Sequence, residues 1–175
     1  MKGTIKPCLA ELVTVRFGPA TWRRIVDEAE RITTPSPQLR IALSDVEDVE
    51  VLALIDATCR VLGLTLQEVA DLVGEYWCCT FAPGAHDVVW SRFGSARACI
   101  EGLDGVQAQV MADDEAHPPV AHFDWQDDRT LLVGYRSERG LIDLYVGLLR
   151  GVGKAVGEPL QVTKVTSSEV EVVFA

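Results

Sequence analysis

The sequence predicts an α+β fold: a mainly helical N-terminal part, then a four-stranded antiparallel sheet with helices in the C-terminal part. Two observations predict it. Apolar residues recur at three-to-four spacing through the first two thirds of the chain, the mark of helices that bury one face. The last third carries two pairs of short β-prone runs, each joined by a polar turn, and helices packed on one sheet is the economical way to bury both.

The elements follow in order. Cys8 to Phe17 and Thr21 to Ile32 are predicted helices, separated by the turn chemistry of Gly18-Pro19. Thr33-Thr34-Pro35-Ser36-Pro37 cannot continue a helix and reads as a loop. Ser44 and Glu47 form a capping-box pattern that opens a helix through Val49, Leu52, Leu54, Ile55, Cys59 and Leu62, ending at Gly63. Thr65 and Glu68 repeat the device ahead of Val69, Leu72, Val73 and Trp77. Beyond Pro83-Gly84, the stretches His86 to Phe93 and Ala96 to Met111 read as helical, and Pro118-Pro119 ends them. Val120 to Trp125 and Thr130 to Ser137 flank Gln126-Asp127-Asp128-Arg129 as a hairpin. Leu141 to Val156 is a helix with Leu144, Leu148, Val152 and Val156 on one stripe. Leu160 to Val165 and Val170 to Phe174 close the chain as a second hairpin around Ser167-Ser168.

With 175 residues, no internal repeat and no linker, the chain reads as a single domain, 1–175, with a helical subdomain about 1–63 and a sheet-bearing subdomain about 64–175. Sixteen basic against 26 acidic side chains, a net charge of −10 with no Lys/Arg block, argue against nucleic acid or an anionic membrane as partner. An apolar content of 48%, spread along the chain, excludes low-complexity disorder. Five cysteines without a CxxC pair indicate neither a disulfide framework nor a zinc knuckle, and they read as buried thiols acting as small hydrophobes. Nothing basic adjoins Cys78-Cys79 in sequence to lower a thiol pKa. Lys6, Pro7, Glu11 and Arg16 interrupt the N-terminal apolar residues, so no signal peptide is expected. No apolar run approaches the ~20 residues of a membrane span, which makes a cytoplasmic protein the expectation.

One constellation stands apart. Alternate side chains of an extended segment share a face, so Tyr135, Ser137 and Arg139 project together where the second strand runs out. A phenol, a hydroxyl and a guanidinium together form a receptor for carboxylates, which Arg chelates bidentately. Leu131, Leu132 and Val133 before them, and Leu141, Ile142 and Leu144 after, suit an amphipathic ligand with acidic groups along one edge. The plainer reading is a polar strand-to-helix turn with Arg139 in a structural ion pair, and spacing alone favours that reading.

The stretch Tyr135-x-Ser137-x-Arg139 followed by a helix resembles the YxSxR signature of the haem nitric oxide/oxygen binding family (H-NOX, or HNOB). Further stretches resemble the family in order along the chain. They are Met1-Lys2-Gly3-Thr4-Ile5, Asp48-Val49-Glu50-Val51, Leu62-Gly63, Glu75-Tyr76-Trp77 with Phe81, Leu103-Asp104-Gly105-Val106, Pro118-Pro119 and Tyr145-Val146-Gly147-Leu148. The resemblance implies an H-NOX-like fold with haem bound between the helical part and the sheet-bearing part. It implies that Tyr135, Ser137 and Arg139 take the two propionates, that Asp48 lies near the acidic partner of Arg139, and that Ile5 and Pro119 press on the macrocycle. Leu9, Trp77 and Leu144 would line the distal side. Oxygen-binding members carry a distal Tyr where this chain has Leu144, so nitric oxide is the implied gas, with the Trp77 indole as the polar group on that side.

The proximal ligand of the family is a His directly after Leu-Asp-x-Val, and here that position is Gln107. A neutral carboxamide is a poor iron donor, so the family's usual signalling step loses its ligand. His117 is the histidine nearest in sequence, and Met111 lies one turn beyond Gln107 on the same helix face; neither stands where the family places its ligand. His86, His117 and His122 show no i,i+4 pair, so no metal-ligand spacing is present. Two functions therefore stand. One is a haem- or tetrapyrrole-binding gas sensor with altered proximal ligation. The other is a haem-independent ligand-binding or interaction module that has lost the proximal His. An enzyme is not expected, because no nucleophile, base and orienter stand at recognisable spacing. By resemblance to stand-alone bacterial members, the output would go to a separate signalling protein such as a histidine kinase or a cyclic-dinucleotide enzyme. The acidic net charge implies a basic patch on that partner.

Overall fold

The computed structural model describes residues 2–32, 46–82, 94–102, 120–136 and 141–175. Helix α1 (Lys2–Phe17) begins six residues before the expected Cys8. A proline suggests a break, but Pro7 lies in the second turn, where it forgoes one N–H bond. Burial of Cys8, Leu9, Leu12 and Val13 holds the helix together beyond it. Gly18, at φ 87°, turns the chain into α2 (Pro19–Arg31), whose Pro19 occupies the favoured first helical position.

Helix α3 (Val46–Leu62) buries Leu52, Ala53, Leu54, Ile55 and Ala57. It ends as expected at Gly63, whose φ of 68° lets the Leu64 N–H reach back to the Cys59 carbonyl at 3.0 Å. The expected Ser44 cap lies outside the described residues. The second capping box is present: Thr65 Oγ1 accepts from the Glu68 N–H (3.3 Å) and the Glu68 carboxylate accepts from the Thr65 N–H (2.8 Å), opening α4 (Leu66–Tyr76). Instead of stopping at Trp77, the chain continues in a widened π turn, Trp77–Phe81. Helix α5 (residues 96–102) is capped by Ser95 Oγ, which accepts from Ala98 N–H, and by Glu158, whose carboxylate accepts from Ala96 N–H at 2.8 Å. The expected helix over 86–93, the remainder of 96–111, the loop at 33–37 and the Pro118-Pro119 step lie outside the described residues.

The two expected hairpins form one antiparallel sheet. Strands β1 (Val120–Trp125) and β2 (Thr130–Arg136) are joined by a turn in which Asp127 Oδ1 accepts from the N–H groups of Arg129 and Thr130. Strands β3 (Leu160–Lys164) and β4 (Glu169–Phe174) form the second pair, and β4 pairs with β2, giving the order β1-β2-β4-β3.

Helix α6 (Ile142–Val156) departs from its sequence reading. Of the expected stripe, Leu148 and Val152 are buried but Leu144 and Val156 only half so, while Tyr145, Val146, Leu149 and three glycines are buried as well. The reason is that α6 is covered on several sides. Val146, Leu149 and Val152 join the sheet's Leu131, Val133, Val170 and Val172 with α5's Cys99 and Ile100 in one cluster. Against α4 the approach is backbone to backbone: a Cβ on Gly147 would lie 2.1 Å from the Ala70 carbonyl oxygen, and one on Gly151 2.3 Å from that of Gly74. A second cluster gathers Leu9, Leu12, Val13, Ile25, Leu54, Val69 and Tyr76 from α1 to α4. A third, smaller one joins Leu52 and Ile55 to Leu66, Leu141 and Leu144.

Charged side chains tie the same elements. Arg150 on α6 donates to both carboxylate oxygens of Asp71 (2.9 and 2.8 Å) and to the Val162 carbonyl (2.8 Å), satisfying one outward carbonyl of the end strand β3. Glu75 on α4 accepts from Arg16 of α1 at 2.7 Å and from Lys154 of α6. Hydrogen bonds from Lys154 and then Arg16 hold its carboxyl below the usual carboxylate range. Among the described residues no helix is long and apolar enough to cross a membrane.

Two outcomes are expected. Gly147→Ala, whose obstacle is backbone, should cost about 3 kcal/mol or more in urea denaturation, whereas Gly94→Ala, with open space around it, should stay within about 0.5 kcal/mol. A lowered Glu75 pKa contributes stability above the unfolded carboxylate range, lost as pH falls through the folded value. Glu75→Gln should therefore cost roughly 1 kcal/mol near pH 7, and the difference in urea midpoints should shrink as pH falls below the ordinary carboxylate range.

Candidate functional site

The pleat of β2 aims Leu131, Val133 and Tyr135 at α6 and leaves Arg136 exposed. Tyr135 is only 6% exposed although it stands at the strand's end, next to the last described residue of β2. Its N–H donates to the Ser168 carbonyl at 2.7 Å, so the β3–β4 turn fixes its backbone. Its ring stacks on Tyr145 of α6, with centroids 4.7 Å apart and planes at 25°. The other expected carboxylate receptors, Ser137 and Arg139, lie outside the described residues, as do Gln107, Pro119, the Asp48 side chain, His86, His117 and Met111. Tyr135 thus has the inward orientation that strand alternation requires.

Tyr145 is a residue that sequence reasoning passed over as a partner of the site. Ten positions separate it from Tyr135, with a strand end and a helix start between, so no local periodicity links the two. The only legible hint is its place on α6 four residues after Leu141.

The apolar positions expected on the distal side are distributed over the three clusters. Leu144 packs with Leu52, Ile55, Leu66 and Leu141, where α3, α4 and α6 meet. Leu9 is buried in the α1–α4 cluster. Trp77, at the end of α4, packs against both that cluster and the sheet cluster. Ile5 is half-buried on α1. His122 is exposed on β1. Among the described residues no group of three or more His, Cys, Asp or Glu could hold a metal ion.

The cysteines divide by burial. Cys8, Cys78 and Cys99 are buried, as expected, but Cys59 is half-buried and Cys79 is exposed, because the π turn rotates it outward. Burial pushes the Cys8 thiol up to about 12, with Glu11 adding to it, and the Cys99 thiol up to about 11. Cys59 rises to about 11 through burial and Asp56. Around Cys79 the fold supplies what the sequence lacks: Lys154 and Arg16 both favour the thiolate, yet desolvation and Glu75 outweigh them and its pKa is still raised.

The profile of the family described as Haem-NO-binding matches residues 2–164. Soluble guanylate cyclase gcy-35 of Caenorhabditis elegans is 25% identical over 176 residues, covering 98% of this chain and 25% of that protein. The chain thus spans a quarter of the length of that curated relative. Among solved structures, a mutant H-NOX protein from S. oneidensis in the Fe(II) ligation state aligns with TM-score 0.81 and 19% identity, covering 100% of this chain and 96% of that one. An H-NOX protein from S. oneidensis in the Fe(II)NO state aligns with TM-score 0.77 and 18% identity, covering 100% and 98%. The α+β architecture of helices on a four-stranded antiparallel sheet is shared with these structures.

A thiol-reactive disulfide reagent at neutral pH should modify Cys79 first and slowly, with Cys8, Cys78 and Cys99 reacting only on denaturation. Labelling of a buried thiol at a rate comparable to Cys79, mapped by peptide mass, would contradict the burial order.

Proposed function

Because this chain belongs to the haem-NO-binding family, we propose that it is a tetrapyrrole-binding gas-sensor domain that grips its ligand through Tyr135, Ser137 and Arg139. One observation carries this reading: a phenol buried at the end of β2, under α6, immediately before the segment that bears Ser137 and Arg139. The surrounding residues suit a planar amphipathic ring with an acidic edge. Leu141, Leu144, Leu52, Ile55 and Leu66 supply apolar surface on the far side of α6's first turn. Arg139, Ser137 and Tyr135 would hold the carboxylates, the guanidinium and the hydroxyls being donors suited to that charge. Ile5 and Pro119 would press on the ring.

Haem, when bound, supplies an iron centre at which a diatomic gas coordinates. Leu144 offers that gas no hydrogen bond, which favours nitric oxide over oxygen. Gln107 withholds the imidazole that would anchor the ring from the proximal side, so the carboxylate clamp bears most of the retention. The domain passes its signal to a signalling protein of the histidine kinase or cyclic-dinucleotide enzyme class. With a net charge of −10, it docks on a basic surface of that protein. Gln107 by itself favours the second reading, a haem-independent module in which the same pocket takes another acid-bearing ligand or none.

Titration of the purified protein with hemin should give a saturable Soret band near one equivalent, and Arg139→Ala or Tyr135→Phe should weaken binding about tenfold or more. In Gln107→His the ferrous form should become five-coordinate by its visible spectrum. Absence of saturable hemin binding to the wild type would leave the haem-independent module standing.

A further inference from the structure

Tyr145 belongs to no expected clamp, yet its ring lies flat against one of the clamp's members. Resting on the reading of Tyr135 as a carboxylate donor, we infer that Tyr145 is a positioning residue: by stacking on Tyr135 it fixes the phenol in one orientation and so sets how tightly the domain retains an acid-edged tetrapyrrole.

The physical case has three parts. The Tyr135 backbone is already fixed, because β1 and β4 flank β2 and the Ser168 carbonyl accepts the Tyr135 N–H at 2.7 Å. A second ring 4.7 Å away at 25° restricts the pivot of the Tyr135 ring about its side-chain torsions. Tyr145 is itself immobile, being 4% exposed on a helix whose glycines meet α4 backbone to backbone. An orientation fixed before the ligand arrives lowers the ordering cost of binding. With Gln107 in the proximal position, that saving bears directly on retention, since no strong axial bond masks it.

The test compares hemin with hemin dimethyl ester, which has the same ring and iron but no free acids. Tyr145→Phe preserves the stack and should bind hemin within about threefold of the wild type, whereas Tyr145→Leu should bind it about tenfold or more weakly. The wild-type advantage over Tyr145→Leu should vanish with the dimethyl ester, because an oriented phenol has no carboxylate to meet. A purely structural role would weaken both ligands alike, and that result, or unchanged hemin binding by a folded Tyr145→Leu, overturns the inference. Tyr145→Met, a flexible side chain of similar reach, serves the same comparison should the leucine variant fail to fold by circular dichroism. A wild type that binds no hemin would instead remove the reading of the site, and this inference with it.

Discussion

The contact on which the rest of the molecule depends is the backbone-to-backbone approach of α4 and α6. Three glycines make it possible: Gly74 on one helix, Gly147 and Gly151 on the other, where each Cβ would fall 2.1 to 2.3 Å from a facing carbonyl oxygen. No side chain separates the two axes there, so their spacing and rotation are set by main chain, which cannot adjust as side chains do. The described ion pairs that link the helical part to α6 and the sheet start from this fixed pair. Asp71 and Glu75 on α4 meet Arg150 and Lys154 on α6 because the spacing is short, and Arg150 then still reaches the β3 carbonyl.

The same pair orients the candidate site. With Gly147 and Gly151 committed to α4, the other faces of α6 are assigned: Tyr145 turns to the end of β2 and Leu144 to the junction with α3. Neighbouring positions on one helix thus face different surroundings, one aromatic and stacked on Tyr135, one aliphatic and packed with Leu52 and Ile55 of α3. The π turn has a comparable effect at the end of α4. Along it Cys78 is buried and Cys79 exposed, beside a set of charges contributed by three helices.

Local chemistry was legible residue by residue where the deciding interaction is short in sequence. The Thr65–Glu68 capping box, the Gly63 stop, the turn around Asp127 and both hairpins each rest on atoms within a few positions of one another. Helix α1 starts six residues before its apolar spacing marks it, because burial of Leu9, Leu12 and Val13 outweighs the one N–H bond that Pro7 forgoes. The stripe on α6 was misjudged for a related reason: periodicity counts apolar side chains, and here the faces that matter most are glycine. A Gly-x-x-x-Gly spacing at 147 and 151, with Ala70 and Gly74 four apart on α4, was the available signal, since small residues one turn apart let two helix backbones touch.

By itself, then, the sequence determined the α+β class, the element order, and the carboxylate-seeking residue types of Tyr135, Ser137 and Arg139, because helix caps, strand alternation and side-chain chemistry are local properties. It also determined that Gln107, not a His, directly follows Leu103-Asp104-Gly105-Val106, a matter of identity that no folding alters. Only the tertiary structure decided that β2 lies beside β4, that Tyr145 covers Tyr135, and that Glu75 joins three helices. These depend on long-range closure, where the energy comes from surfaces distant in the chain and no periodicity records which surface will meet which.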